Sequence, residues 1–165
     1  MSLTTLDIKE PGLNLLPPGV ERYVVEGGGL TGIQILPEDQ IEIINNEGNQ
    51  ICEISVFNKD GKSELAILGL KEIKDNSEIK KILFKKDETS LQALLQLKKR
   101  NLNIEKSKSS LVFDKETKAG ESIKLRSKDK CYCIIAAPGN EMMVHEQNPS
   151  TELTVMIKRS VIKKD

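Results

Sequence analysis

A chain of 165 residues, 38% hydrophobic and 30% charged, has the size and composition of one soluble domain. Its 25 basic residues balance 25 acidic ones, so no net field draws it to nucleic acid or to a membrane surface. Three cysteines, two of them in the pattern Cys131-x-Cys133, make a poor disulfide framework and point to a reducing, cytoplasmic compartment. The mixed polar and apolar start, Met1–Glu10, does not read as a secretion signal. No apolar run has the length of a membrane span.

Residues 1–20 read as an irregular arm punctuated by Pro11-Gly12 and Pro17-Pro18-Gly19, with Leu13, Leu15 and Leu16 available to pin it down. A single β-rich domain is expected over 21–160, with 161–165 a frayed tail. Tyr23–Val25 suits a strand, and Gly27-Gly28-Gly29 breaks it with a hairpin connection. Leu30–Leu36 and Gln40–Asn45 alternate apolar and polar around the turn Pro37-Glu38-Asp39. Asn46–Asn49 reads as a hairpin-like loop, because Asn and Gly tolerate positive φ. Over Gln50–Asn58, the clearest strand, Cys52, Ile54 and Val56 share one face. Asp60-Gly61 ends it.

The middle of the chain changes period. Asn76–Lys86 spaces Ile79, Ile82 and Leu83 as a helix does, with Ser77 as N-cap. Ser90–Asn101 predicts a second helix, with Leu91, Leu94 and Leu95 as its apolar stripe and Lys98, Lys99 and Arg100 at the negative end of its dipole. Strand patterns return at Leu111–Phe113, Ile123–Arg126, Lys130–Ala137 (apolar enough to be central) and Glu152–Arg159, where Leu153, Val155 and Ile157 share a face. The expected fold is α+β, mainly β: a largely antiparallel sheet or small barrel with about two helices packed on one side.

Candidate chemistry is sparse. Cys52, Cys131, Cys133 and His145 offer the residue types of a Cys3His zinc site, but a C-x-C on a strand lacks the turn that converges ligands in structural sites. Core packing is the stronger reading of these thiols. His145 is the only histidine and no nucleophile-elbow pattern accompanies it. The triple glycine precedes a strand, not the helix that a phosphate cradle opens. Lys98-Lys99-Arg100 lacks the interleaved aromatics of a nucleic-acid surface.

Two stretches carry a family resemblance: Glu21–Gly29 with Ile41–Phe57, and Ile134–Gly139 with Gln147–Leu153 and the basic strand end Lys158-Arg159. Together they resemble the N-terminal module of aminomethyltransferase-like proteins of the glycine-cleavage T type, itself similar to the urea carboxylase-associated domain family. The resemblance implies an accessory or small-ligand-binding module of a folate-dependent aminomethyltransferase-like system, with no catalytic residue of its own. Tetrahydrofolate would then belong to a linked or partner catalytic domain, with no cofactor in this chain. The partner would be that domain or a small molecule, with oligomers allowed. Arg22, Glu53, Lys124 and Arg126 are the polar strand residues that such a pocket would use. Two rivals stand beside this reading: a small metal-assisted enzyme using Cys52, Cys131, Cys133 and His145, and a purely structural interaction domain.

Overall fold

Strands whose apolar residues recur at every second position must bury one face, and here two sheets do so against each other. The computed structural model of the protein describes residues 19–72, 78–85, 87–114, 116–139 and 151–160. Among these, the elements run β1 (Val20–Val25), β2 (Leu30–Ile35), β3 (Gln40–Asn45), β4 (Cys52–Asn58), α1 (Glu78–Leu83), α2 (Glu88–Lys99), β5 (Ser110–Phe113), β6 (Ser122–Arg126), β7 (Cys131–Ala136) and β8 (Leu153–Lys158), with a 3-10 turn at Leu65–Leu68. The first sheet has the order β1-β8-β3-β6 and the second β2-β7-β4-β5. Every pairing in both is antiparallel. The mainly-β α+β class expected from the sequence is therefore present, as an open two-sheet sandwich and not as a closed barrel.

Neither short loop expected to close a hairpin does so. β1 and β2, joined by Gly27-Gly28-Gly29, lie in different sheets, and so do β3 and β4, joined through Asn46–Asn49. Positive φ at Gly28 (80°), Gly48 (78°) and Asn49 (58°) turns the chain sharply in both cases. Such a turn serves a corner between stacked sheets as well as a hairpin. What decides is the partner strand: β8 lies beside β1, and β7 beside β2.

The inter-sheet core gathers Tyr23, Val25, Ile41, Ile43, Leu153, Val155 and Ile157 from the first sheet. Ile33, Ile35, Cys52, Ile54, Val56, Cys131, Cys133 and Ile135 meet them from the second. The second sheet buries its other face too, packing Leu30, Phe57, Ile134 and Ala136 against Ile79, Ile82, Leu83, Ala93 and Leu97 of the helices. Burying each large aliphatic side chain stabilises the fold by roughly 1.5–3 kcal/mol relative to leaving it exposed. Thus β4 and β7 are buried along nearly their whole length, as a strand covered on both sides must be. The outer face of the first sheet carries no helix among the described residues.

Helix α2 begins earlier than expected and presents a different stripe. Asp87, not a later residue, is its N-cap, its Oδ1 accepting from Ser90 N at 2.7 Å. Ser90, Ala93 and Leu97 are buried, while Leu91 and Leu95 are 52% and 57% exposed. The buried stripe is rotated by about one residue from the expected one, of which Leu94 still packs partly buried against this core. Small Ser90 and Ala93 let the helix approach its neighbours, and Ser90 Oγ donates to Ile82 O of α1 at 2.8 Å. The Ser77 cap expected for α1, most of the N-terminal arm, residues 161–165 and His145 lie outside the described residues. No helix among the described residues is long and apolar enough to cross a membrane.

Candidate functional site

The sandwich core brings Cys52, Cys131 and Cys133 to one layer, since β7 places its two thiols on the same inward face and β4 lies beside it. All three are free and buried. Burial pushes the Cys131 thiol up to about 11, against a favourable contact with Ser127 Oγ at 3.8 Å. Burial likewise holds Cys52 and Cys133 far above the ordinary thiol range, and for Cys133 the neighbouring Cys131 and Cys52 add to it. A protonated, enclosed thiol is neither a good nucleophile nor a good metal ligand. Among the described residues no three His, Cys, Asp or Glu side chains come together as a metal site. The three thiols of the proposed Cys3His set pack in the inter-sheet core.

These thiols give a testable pH dependence. Their folded-state values are raised above those of the unfolded chain. Their contribution is therefore complete below about pH 8.5 and is lost as the pH rises toward the folded values, by up to ~1.4 kcal/mol per pH unit per thiol. Urea denaturation at pH 8 and pH 10 should show the protein losing stability, and Cys131→Ala should lose less over the same interval. An identical loss in the variant would show that Cys131 is not held protonated.

The most elaborate polar constellation is one that strand patterns alone passed over. Arg159, just beyond β8, is buried against two carboxylates. Its Nε and Nη2 donate to Glu21 Oε2 and Oε1, each at 2.9 Å. Its Nη1 donates to Asp39 Oδ2 at 2.7 Å and to Gln34 O at 2.9 Å. Tyr23 OH donates to Glu21 Oε1. Asp39 also accepts from Leu36 N and Ser160 N, both at 2.9 Å. Burial alone would lower the Arg159 pKa, but the bonds to Glu21 and Asp39 outweigh it and raise the value. Burial together with the Glu21 contact raises that of Tyr23. Both groups keep their protons at any physiological pH. The cluster fastens β1, the β2–β3 turn and the end of β8. A signal was present in the sequence: Arg159 continues the inward series 153, 155, 157, and Glu21 continues 25, 23.

Three of the four polar residues singled out from the sequence do share a face. In the first sheet Arg22 lies opposite Met156, Met156 opposite Glu42, and Glu42 opposite Lys124, forming one row across all four strands. The next row is Val20, Lys158, Gln40 and Arg126. A depression of about 570 Å³ lies over these rows, lined by Val20, Glu42, Lys124, Arg126, Met156 and Lys158 among others. Arg126 is bridged to Glu38 at 2.6 Å, with both side chains largely exposed. Glu42 accepts from Ser122 Oγ at 2.9 Å. Arg22, on the edge strand, stands three strands from Lys124, about 14 Å at the usual strand spacing.

Glu53 does not join them. It lies on the helix-facing side of the second sheet, fully buried, where it accepts from Ser109 Oγ at 2.6 Å and from Glu78 N at 2.7 Å. It anchors the start of α1 to β4 and is not part of a surface pocket.

No family model matches the chain. The chain is 35% identical, over 157 residues, to the trimethylamine-oxide aldolase of Ruegeria pomeroyi. The match takes in 94% of this chain but only 20% of that enzyme, so the chain spans about a fifth of its relative's length. This likeness corrects the expectation of an accessory or ligand-binding module of an aminomethyltransferase-like or urea carboxylase-associated protein. The relative carries the name of an enzyme, and that enzyme is an aldolase.

Proposed function

We propose that this chain serves an aldolase-type enzyme acting on a small amine N-oxide, as the counterpart of one fifth of trimethylamine-oxide aldolase. The observation that carries this reading is the 35% identity along nearly the whole chain. Atom balance defines the chemistry. Trimethylamine oxide holds only methyl carbons, so an aldolase-type cleavage releases one of them as formaldehyde. Trimethylamine oxide and the products dimethylamine and formaldehyde balance in atoms and in oxidation state, with no external oxidant or reductant. Within this chain the charged outer face of the first sheet, with Glu42, Lys124 and Arg126, is the surface open to substrate or to the rest of such an enzyme. The thiols and the Arg159 cluster are committed to the core.

The test is direct. Purified protein incubated with trimethylamine oxide should release formaldehyde and dimethylamine in equal amounts, read by a colorimetric aldehyde assay and by amine chromatography. Release no faster than in buffer, both from this chain and from any longer polypeptide that carries it, would overturn the proposal.

A further inference from the structure

Helix α2 turns an apolar pair outward. Leu91 and Leu95 stand one turn apart on the same face, and each is more than half exposed. They add nothing to the inner side of the helix, where Ser90, Ala93 and Leu97 are buried. The charges around the pair are also ordered. Asp87 and Glu88 stand at the start of the helix and Lys98 and Lys99 at its end, all four exposed. Asp87 with Lys99, Glu88 with Lys98, and Leu91 with Leu95 are each centred on Ala93. An acidic start and a basic end suit the dipole of any helix, which accounts for the signs. It does not account for an exposed leucine pair centred between them.

Helix geometry shows what such a surface fits. At 3.6 residues per turn, Leu91 and Leu95 lie about 20° to either side of one line along the helix. Glu88 and Lys99 then lie about 40–60° to one side of that line, and Asp87 and Lys98 about 40–60° to the other. Two copies of this helix, laid face to face and antiparallel about a two-fold axis, keep each margin on its own side. Leu91 of one copy then meets Leu95 of the other, Glu88 meets Lys99, and Asp87 meets Lys98. Each pair is level to within about one residue's rise of 1.5 Å. A parallel pairing would instead set Glu88 against Glu88 and Lys99 against Lys99. The balance of 25 basic and 25 acidic residues adds no net repulsion between copies.

We propose that α2 is a self-association surface, through which two copies of this chain pair by antiparallel contact of Leu91 with Leu95, flanked by Glu88–Lys99 and Asp87–Lys98 ion pairs. The pairing stands apart from the chemistry proposed above. One helix of 12 residues on each side makes a contact at the small end of specific interfaces, under about 1,200 Å² in total. The dimer is therefore weak and concentration-dependent.

Sedimentation equilibrium of the protein, carried up to about 1 mM, should show monomer and dimer in exchange. Leu95→Glu should weaken association by about tenfold or more, the loss typical of a central interface anchor, with Tm and circular dichroism unchanged because the side chain is exposed in the single copy. Glu88→Lys should weaken it as well, since the two-fold axis repeats the lost pair. Combining Glu88→Lys with Lys99→Glu should restore it, because the reversed charges again face each other. A monomer at every concentration would overturn the proposal and leave this face to another part of a longer enzyme. So would a dimer indifferent to Leu95→Glu, or a double variant that associates no more tightly than Glu88→Lys alone.

Discussion

Arg159→Leu should destabilise the protein by about 3–5 kcal/mol, the range seen when one partner is removed from a buried ion pair. For a domain whose total stability is on the order of 5–15 kcal/mol, that is a large share. Leucine fills part of the space but leaves Glu21 and Asp39, both fully buried, without the guanidinium that bridges them. The loss is mainly the cost of stranding charge away from water, more than the value of the bonds themselves. Arg159→Lys separates the two contributions. It keeps the charge but cannot make the paired bonds to Glu21 while also reaching Asp39 and Gln34 O, so it should fall between the parent and Arg159→Leu. Urea denaturation measures both, with the midpoint shifting and the slope unchanged. A loss below about 1 kcal/mol for Arg159→Leu, the range of surface pairs, would mean that water reaches this cluster.

Gly61→Ala should be comparably damaging, for a reason of geometry. Gly61 follows β4 with φ +79°, and a Cβ there would lie 1.8 Å from Asn101 O, a backbone atom. The glycine is held from both sides: its N donates to Asn58 O at 2.9 Å, and its O accepts from Asn103 N at 2.9 Å. Neither strand end nor post-helix loop can yield without breaking one of these bonds. The expected loss is roughly 3 kcal/mol or more, combining left-handed strain with displaced backbone. Gly120→Ala is the control. Gly120 has φ +84° with nothing within 4 Å of the added carbon, so strain alone should cost roughly 1–2 kcal/mol. Equal losses at the two positions, by thermal or chemical denaturation, would show that the Asn101 contact is relieved at little cost.

The elements legible in the sequence were those with a dominant local period. Gln40–Asn45 matches β3 as observed, and Leu30–Leu36 overshoots β2 by one residue. Lys130–Ala137 was recognised as central because its apolar run is continuous, and β7 does lie between β2 and β4. In α2 the local signal was degenerate. Leu91, Leu94 and Leu95 make the obvious apolar stripe, but contact with α1 and the second sheet selected Ser90, Ala93 and Leu97, leaving Leu94 partly buried. The polar residues fared unevenly. Alternation places Arg22, Lys124 and Arg126 outward, but it cannot tell an outward face from one covered by helices, so Glu53 was grouped with them although helices cover its side of the sheet.

The sequence by itself determined the mainly-β character of this protein, its two helices and the inward direction of its aliphatic residues, because each follows from side-chain spacing within one segment. Only the tertiary structure decided that the short glycine loops cross between sheets, that one sheet is covered on both faces, and that Glu21, Asp39 and Arg159 meet. Those outcomes depend on which distant strands pair, β1 with β8 and β2 with β7. That choice is made by the burial of whole faces against one another, and no local window of residues contains it.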